Sequence, residues 1–359
     1  MGRFSVFLCT YGWNDGQMRE PVVKGKGNGH EIEKENTMLS LTGERVGTPI
    51  QCEYPGITEH AFLDVAQEHI LGNEVARGFG LLCAGLQRVR SILEPDEWDR
   101  YIRDVCLEHP VAALLYQDPL TFRAYHKPRG YPGDAVTIDY VYGFTKGKVG
   151  LAMASDIGNR LYTCVHALPA AAAVRERRQI VSNLIDTVAS RVTSPRILSL
   201  ACGHLREAAL SLAIRDGAVG ELVALDQDPK SLAVVDDEYG RYNVTSIRSD
   251  VRAVLADSEP LGMFDFVYAT GLFDYLKPEV ARRLVTRMLA VTRPGGQVMI
   301  PNFVPDIGDA AYMEAFMDWR LVYRDEDALN ALFTREDLAN HEFFMGANGN
   351  IAYVVVRKA

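Results

Sequence analysis

The sequence predicts an α/β protein in which a helical first half precedes an open, mostly parallel β-sheet with helices on both faces. Three observations carry this prediction. Apolar runs with strand character alternate with helical patterns between residues 196 and 303. A tight turn at Gly203 links the first of these runs to a helical pattern. Two final apolar runs, separated by Asn348-Gly349, indicate an antiparallel hairpin at the sheet edge.

Helical spacing dominates the first half of the chain. Apolar residues recur at this spacing across residues 57–127, and a charged amphipathic helix is predicted over residues 174–192. Between them, the glycine- and proline-rich residues 128–134 predict a loop. We therefore expect a helical domain over residues 38–192 that serves as a lid and a substrate wall.

The N-terminal segment is expected to be disordered. Residues 1–37 mix glycine, lysine and glutamate and have no periodic apolar face. Met38 is therefore an alternative start of the functional chain. The apolar stretch 4–9 is short and no small-residue cleavage site follows it, so we do not expect a signal peptide.

The second half, residues 193–359, is predicted to form the sheet-containing domain. Pro294-Gly-Gly296 marks the turn into its fifth strand. The predicted strands are 196–201, 222–226, 244–248, 264–269, 297–303, 341–345 and 351–357, and the predicted helices are 205–215, 229–240, 278–291 and 311–324.

Composition excludes several classes of function. The net charge of −9, without a basic stripe, makes nucleic acid an unexpected partner. No apolar run approaches the roughly 20 residues of a membrane span. The six cysteines form no Cys-x-x-Cys pair, which fits a reducing cytoplasm and indicates neither a metal site nor a disulfide framework.

The turn around Gly203 and the acidic residue after the second strand indicate a nucleoside ligand. Such a turn lets the backbone approach the ligand, and a carboxylate about 20 residues later, here Asp226, accepts hydrogen bonds from ribose hydroxyls. Asp228, before Pro229, better suits a helix cap. A single glycine is also common in ordinary strand-to-helix turns, so a purely structural turn is the alternative.

Further candidates follow the next strands, because ligands of open α/β sheets bind at the carboxyl ends of the strands. Asp250 either accepts from an adenine amino group or caps a helix. In the loop over residues 270–275, Phe273 and Tyr275 either line a pocket or pack helices. Asn302 is a candidate for holding a polar group of a substrate.

Together these features resemble the class I S-adenosylmethionine-dependent methyltransferases over residues 195–357. The resemblance implies a Rossmann-like sheet, mostly parallel with an antiparallel C-terminal hairpin, and S-adenosyl-L-methionine as cofactor. The chain departs from the first motif of the family, because Ser199 replaces the usual acidic residue and Ala201 and Leu205 replace two glycines. The resemblance rests on the glycine turn, Asp226, Asp250, Phe264-Asp-Phe-Val, Arg293-Pro-Gly-Gly296 and the final hairpin.

A narrower resemblance connects the chain to a bacterial subfamily with a helical N-terminal domain. That subfamily includes enzymes related to those that form methyl esters of hydroxy-fatty acids for signalling, and enzymes that cyclise S-adenosylmethionine to azetidine-2-carboxylate. The segments that carry it are Lys127-Pro-Arg-Gly-Tyr-Pro-Gly-Asp134, Gly203-His-Leu-Arg-Glu207, Leu225-Asp-Gln-Asp-Pro229, Gly271-Leu-Phe-Asp-Tyr-Leu276 and Phe316-Met-Asp-Trp-Arg-Leu-Val-Tyr-Arg324.

The resemblance implies a set of cofactor contacts. Arg129 would clamp a carboxylate, or would pair at the surface with Asp134. Glu207 would bind the cofactor ammonium, or would only favour the helix dipole. The full set is Arg129, Ala201, Cys202, Gly203, His204, Glu207, Asp226, Gln227, Asp250, Val251, Thr270, Gly271, Leu272, Phe273 and Tyr275.

Aromatic residues are expected near the cationic sulfonium, because aromatic faces attract cations within about 6 Å of the ring centroid. Trp319 and Tyr323 are four residues apart on one predicted helix, where they either cover a substrate or pack the helix. The expected sulfonium cluster, whose members are otherwise plain core residues, consists of Tyr131, Tyr140, Tyr142 and Tyr162.

The leading hypothesis is methyl transfer to the carboxylate or hydroxyl of a small molecule in bacterial secondary or signalling metabolism. No histidine–carboxylate pair stands out in the sequence as a general base, and a carboxylate acceptor needs none. The first alternative is cyclisation of the cofactor to azetidine-2-carboxylate and methylthioadenosine.

A non-catalytic S-adenosylmethionine-binding protein is the second alternative. An NAD-dependent enzyme is weaker, because Gly-x-Gly-x-x-Gly is absent. We expect no metal at Cys202 and His204, which lack partner ligands at useful spacing. The helical half is a candidate surface for a homodimer.

Overall fold

The computed structural model describes residues 61–144, 149–256 and 261–359. The segment 1–37, predicted to be disordered, and the alternative start at Met38 lie outside these residues. All described residues belong to one compact unit, and the predicted domain boundary near residue 192 stays a prediction. No helix in the described ranges is long and apolar enough to cross a membrane.

The helical half is built around close helix contacts and a shared apolar core. Helices α1 (Ala61–Leu71) and α2 (Val75–Ile92) approach closely at Gly85, where a Cβ would lie 2.4 Å from Cγ of Phe62. The other helices of this half are α3 (Pro95–Tyr101) with the π-helical turn Ile102–Cys106, α4 (Val111–Leu115), α5 (Pro119–His126), α6 (Ala135–Tyr142), α7 (Val149–Met153), α8 (Asp156–His166) and α9 (Pro169–Arg191).

The second half contains a seven-stranded sheet of order β3-β2-β1-β4-β5-β7-β6. Neighbours from β3 to β5 are parallel, whereas β7 is antiparallel to both β5 and β6. This confirms the predicted mixed sheet with its closing hairpin. The strands are β1 (Arg196–Leu200), β2 (Glu221–Asp226), β3 (Val244–Arg248), β4 (Phe264–Tyr268), β5 (Thr292–Phe303), β6 (His341–Met345) and β7 (Ile351–Arg357).

The central strands are largely apolar because both faces of the sheet are covered there. Ile197 and Leu198 are neighbours in β1, yet they belong to different core clusters, since alternate side chains point to opposite faces. The α9 residue Ile185 joins the first cluster. The second cluster contains Leu284 from the helix between β4 and β5. Because β1 to β5 run parallel, their carboxyl ends lie at one edge of the sheet, where the loops that follow them converge.

Short helices and turns fill the connections of the second half. The 3₁₀ turns are Arg206–Ala209, Gly240–Tyr242, Phe273–Tyr275 and Asp337–Asn340. The α-helices are α10 (Leu212–Arg215), α11 (Pro229–Tyr239), α12 (Val251–Leu255), α13 (Pro278–Ala290), α14 (Ala310–Phe316) and α15 (Glu326–Asn330).

Two predicted helices are wrong in extent. The helix expected over 205–215 is a 3₁₀ turn followed by α10, because Leu205 is left-handed (φ 49°) and Ser211 caps a new helix at the Ile214 N–H. The helix expected over 311–324 ends at Phe316, and Asp318 just beyond it is left-handed (φ 43°). The residues after this point therefore share no helix face.

Candidate active site

One cavity of about 370 Å³ lies at the carboxyl edge of the sheet, with walls from both halves of the chain. Its volume is in the range of small-molecule sites. The structure brings most of the predicted site residues to this cavity. They are Tyr131, Tyr142, Ala201, Cys202, Gly203, His204, Glu207, Asp226, Gln227, Asp250, Val251, Thr270, Gly271, Leu272, Tyr275 and Trp319.

The turn after β1 forms the floor of the cavity and has an unusual backbone. Ala201, Gly203 and Leu205 all have left-handed conformations, with φ of 52°, 55° and 49°. The two non-glycine residues are those that replace glycines of the family motif, so the turn keeps a glycine-like path at a cost in strain. A Cβ on Gly203 would lie 3.3 Å from Cβ of Ala135, which shows how closely α6 approaches this turn.

Asp226 ties the turn to the end of β2. Its Oδ2 accepts from the Gly203 N–H at 2.8 Å, and its Oδ1 accepts from the Asp228 N–H at 2.9 Å. Burial raises the pKa of Asp226. Each carboxylate oxygen has more than one acceptor site, so Asp226 can hold this turn and still accept from ribose hydroxyls. Asp228 caps α11 through the Lys230 N–H at 2.9 Å.

Arg129 does not line the cavity. Its Nη1 donates to Oδ2 of Asp228 at 2.8 Å and to Oγ of Ser231 at 3.0 Å. The alternative partner, Asp134, instead accepts from Arg123 at 2.7 Å. Arg129 therefore fastens its loop to the start of α11, and its guanidinium is not placed to clamp a ligand carboxylate.

The loop over residues 127–134, called the roof loop below, covers one side of the cavity. Lys127 pairs with Asp318 at one end of it. At Gly133 the backbone lies against Tyr275 and Trp319, whose Oη and Nε1 are joined by a 2.8 Å hydrogen bond. The roof loop is therefore attached at several points to the sheet-containing half.

The predicted sulfonium cluster is split. Tyr131 and Tyr142 line the cavity, but the Arg178 guanidinium already lies 4.5 Å from the ring centroid of Tyr142. Tyr140 and Tyr162 pack edge-to-face on each other, with centroids 6.3 Å apart, and do not line the cavity. A four-tyrosine enclosure is therefore not formed.

Three other predicted residues also lie outside the cavity lining. Phe273 is fully buried in the apolar core. The amide of Asn302 donates to the carbonyls of Phe303 and Val322 at 2.8 Å each and accepts from Arg324 at 2.7 Å. Its polar atoms therefore serve the fold. The helix that was predicted to carry both Trp319 and Tyr323 ends at Phe316. Trp319 lines the cavity, and Tyr323 does not.

Arg177 is a cavity residue that sequence reasoning missed. It is 4% exposed, and among the described residues its Nε and Nη1 have no hydrogen-bond partner. Its Nη1 lies 3.7 Å from Oδ2 of Asp274, whose pKa burial raises to about 6. In the sequence, Arg177 belongs to the charged run Arg175-Glu-Arg-Arg178, which looks like a solvated helix face. Nothing local indicates which of these side chains points inward.

Glu207 and Cys202 complete the polar lining of the turn. Glu207 is buried, accepts from the Tyr268 hydroxyl at 2.8 Å, and has its pKa raised by burial. Burial also raises the pKa of the Cys202 thiol, which is the opposite of what a nucleophilic cysteine requires. No group of three or more histidine, cysteine, aspartate or glutamate side chains in the described ranges is arranged to hold a metal ion.

These residues fit an adenosyl group that carries an amino-acid tail. Asp226 suits the ribose, and Asp250 lies next along the edge, where it also caps α12 through the Ala253 N–H at 2.8 Å. Beside it, Oγ of Ser249 is buried with no described hydrogen-bond partner. At the other end, Glu207 and Arg177 offer opposite charges to an ammonium and a carboxylate. Unpaired buried donors of this kind favour a polar ligand.

Comparison with known proteins agrees with this geometry. A family model described as a methyltransferase domain matches residues 197–296. No curated protein matches the chain.

Solved structures with some similarity include a possible exported protein from Bordetella parapertussis (16% identity, 69% of this chain and 95% of that chain, TM-score 0.49). The N-methyltransferase NodS from Bradyrhizobium japonicum WM9 is also similar (16% identity, 51% and 96%, TM-score 0.37). So is magnesium protoporphyrin IX methyltransferase from Synechocystis PCC 6803 with bound SAH (11% identity, 53% and 88%, TM-score 0.40).

The structural similarities are too low to support an argument of their own. The finding is therefore that residues 197–296, which lie within the seven-stranded mixed sheet, match a methyltransferase domain.

Proposed function

We propose that this protein transfers the methyl group of S-adenosylmethionine to a small-molecule acceptor. The observation that carries the proposal is a cavity that joins the turn after β1 and Asp226 to a second group of residues after β4. The cofactor supplies an electrophilic methyl group when it is bound. The protein has to align an acceptor with that group and exclude water.

The order of the strands suggests how the cavity is divided. Asp250, Asp226 and the Gly203 turn follow β3, β2 and β1, so they succeed one another along the edge of the sheet. We assign Asp250, Asp226 and the backbone of the Gly203 turn to the cofactor. Beyond β1 comes β4, which is followed by Tyr275. Tyr275 and its hydrogen-bond partner Trp319, which follows α14, line the cavity below the roof loop, and we assign this end to the acceptor.

Arg177 favours a carboxylate in the same cavity. Its buried guanidinium lies beside Gly271, where a Cβ would be 3.7 Å from Nη2, and it has two donors without described partners. A carboxylate, either the tail of the cofactor or a group on the acceptor, could accept a charge-assisted hydrogen bond from this guanidinium. We therefore transfer to Arg177 the carboxylate-binding role that the sequence suggested for Arg129.

Cyclisation of the cofactor is the competing proposal. The sequence favoured it because four tyrosines were expected to enclose the sulfonium. Of these four, only Tyr131 and Tyr142 line the cavity. Because Arg178 already occupies a position over Tyr142, the structure gives this alternative less support than methyl transfer.

Mass spectrometry of the purified protein with S-adenosylmethionine tests the proposal. Incubation with a panel of carboxylic acids, phenols, alkanols and amines is expected to yield S-adenosylhomocysteine and a methylated acceptor. Asp226→Ala, which should lose cofactor affinity, is the control for background hydrolysis. Methylthioadenosine with azetidine-2-carboxylate, formed from the cofactor alone, would establish the cyclase instead. Binding without turnover of any kind would favour the non-catalytic alternative.

The cellular setting is also a proposal. We place the protein in the cytoplasm, in bacterial secondary or signalling metabolism, because Cys83, Cys106, Cys164 and Cys202 are free thiols and the sequence resembles enzymes of such pathways. We propose a small molecule rather than nucleic acid as acceptor because of the net charge of −9. A homodimer through the helical half remains part of this proposal.

A further inference from the structure

A buried histidine–aspartate pair lies at the cavity, although its members are far apart in the sequence. Nδ1 of His204, in the turn after β1, lies 2.8 Å from Oδ2 of Asp139 in α6. Both residues line the cavity, and both are buried, with His204 only 6% exposed. The pair therefore joins the two halves of the chain at the floor of the site.

The surroundings of Asp139 fix the tautomer of His204. Burial by itself would raise the pKa of Asp139, but hydrogen bonds from Arg206 and His204 outweigh burial and lower it. Nε and Nη2 of Arg206 each donate to this carboxylate at 2.7 Å. An ionised carboxylate only accepts hydrogen bonds, so the 2.8 Å contact assigns the proton to Nδ1 of His204. Nη2 of Arg206 lies 3.5 Å from the same Nδ1, but it donates to Asp139 at 2.7 Å. Nε2 of a neutral His204 then keeps its lone pair.

The position of Arg206 is itself determined by several contacts. Its Nη1 donates to Glu238 at 2.6 Å, and its guanidinium lies 4.0 Å from the ring centroid of Phe144. Asp139 thus cannot rotate away from His204 without breaking a buried ionic network. This orientation of a histidine by a fixed carboxylate is the arrangement that general bases use.

In contrast to Nδ1, Nε2 of His204 is buried and forms no hydrogen bond with any described residue. A buried acceptor without a partner is costly unless a ligand satisfies it. The turn that presents it is left-handed at the non-glycine residues Ala201 and Leu205, and strain of this kind is concentrated at functional positions.

We propose that His204 is a general base of the methyl transfer and that the acceptor presents an O–H or N–H group to Nε2. Asp139 and Arg206 act as positioning residues. For a hydroxyl acceptor, the proton passes to Nε2 and an oxygen lone pair forms the new O–CH₃ bond. The S–CH₃ bond breaks and leaves its electron pair on sulfur, and His204 later releases the proton to water. This inference rests on the proposed methyltransferase function and narrows its class of acceptor.

Binding measurements come first, because they separate this inference from the function on which it rests. Calorimetry would compare S-adenosylhomocysteine with methylthioadenosine, which lacks the amino-acid tail, on wild type, His204→Gln and the exposed-histidine control His341→Gln. If wild type binds neither ligand, the proposed function fails. If His204→Gln loses affinity only for S-adenosylhomocysteine, His204 is a contact to the cofactor tail and the base proposal is overturned. We expect similar affinities in all three proteins.

The position of the proton on the His204 ring tests the proposal even without a known acceptor. Proton–nitrogen correlation spectra of ¹⁵N-histidine-labelled protein saturated with S-adenosylhomocysteine would be compared with those of His204→Gln to assign His204. In this complex we expect a proton on Nδ1 and none on Nε2. A proton on Nε2 would overturn the proposal, because no lone pair would then face the acceptor.

Turnover gives the final test. With phenol, alkanol or amine acceptors that wild type methylates, His204→Gln should lower kcat by about 100-fold or more at a nearly unchanged KM for S-adenosylmethionine. Asp139→Asn, which removes the carboxylate that orients His204, should also lower kcat at a nearly unchanged KM for S-adenosylmethionine. Full activity of His204→Gln, or methylation of carboxylic acids only, would contradict the proposal.

Discussion

Replacing Gly133 by alanine should disturb the roof loop directly. A Cβ at this position would lie 2.6 Å from Oη of Tyr275 and 2.7 Å from Cζ2 of Trp319, and non-bonded carbon contacts prefer about 3.5–4.0 Å. The Tyr275 hydroxyl is the end of a side chain and can move. The Trp319 ring is 9% exposed and packed into the core, so it cannot easily give way.

The roof loop must therefore move outward by about 1 Å, or the Trp319–Tyr275 hydrogen bond of 2.8 Å must break. Overpacking of this kind costs about 1–3 kcal/mol. We expect Gly133→Ala to unfold at lower urea concentration than wild type. It should also bind S-adenosylhomocysteine more weakly, because Tyr275 and Trp319 line the cavity.

Denaturant unfolding followed by circular dichroism, together with calorimetry, would measure both effects. Gly80→Ala is the matched control, because no atom lies within 4 Å of a Cβ placed there, in the middle of α2. Alanine is favoured over glycine in a helix by about 1 kcal/mol, so this control should be stabilised. An unchanged midpoint and an unchanged affinity in Gly133→Ala would refute the packing argument.

Three further changes test other parts of the account. Asp226→Ala should weaken S-adenosylhomocysteine binding at least about tenfold, since hydrogen bonds to charged groups contribute about 1.5–3 kcal/mol, and an unaltered calorimetric Kd would exclude Asp226 as a ligand contact. Arg129→Gln breaks the bond to Asp228 and should speed amide exchange in the roof loop, which mass spectrometry would detect; equal exchange would show that other contacts hold the loop. Burial raises the pKa of Asp309 to about 6, above the value of this carboxyl in the unfolded chain. The protonated carboxyl therefore stabilises the folded state at low pH, and this contribution is lost as the pH rises through 6. Relative to wild type, Asp309→Asn should gain about 3 kcal/mol of unfolding free energy between about pH 4 and 7, and a pH-independent difference would contradict this.

The fold was predictable because its signals are local. The parallel strands β1, β2 and β4 are largely apolar runs followed by turns, and the Asn348-Gly349 hairpin is visible from four residues of sequence. The two predicted helices were wrong in extent where the backbone adopts a conformation that the residue type disfavours. Leu205 and Asp318 are left-handed without being glycine, so nothing in their type indicates that the helices are interrupted there.

The candidate site was predictable where it follows the strand ends and unpredictable where it depends on distant pairs. Ligand-facing positions after β1 to β4 follow from the carboxyl-edge rule. Asp139 and His204 are 65 residues apart, and their contact exists only because α6 packs against the turn at Gly203. Arg177 was hidden for a similar reason, since a helix in a charged sequence does not reveal which arginine is buried.

Titration of the purified chain with S-adenosylhomocysteine tests the central claim most directly, with NAD⁺ as the comparison and Asp226→Ala as the control. We expect saturable binding of S-adenosylhomocysteine by wild type, a marked loss in Asp226→Ala, and no binding of NAD⁺. Binding of NAD⁺ in preference to S-adenosylhomocysteine, or equal binding of S-adenosylhomocysteine by both proteins, would contradict the assignment of the cavity.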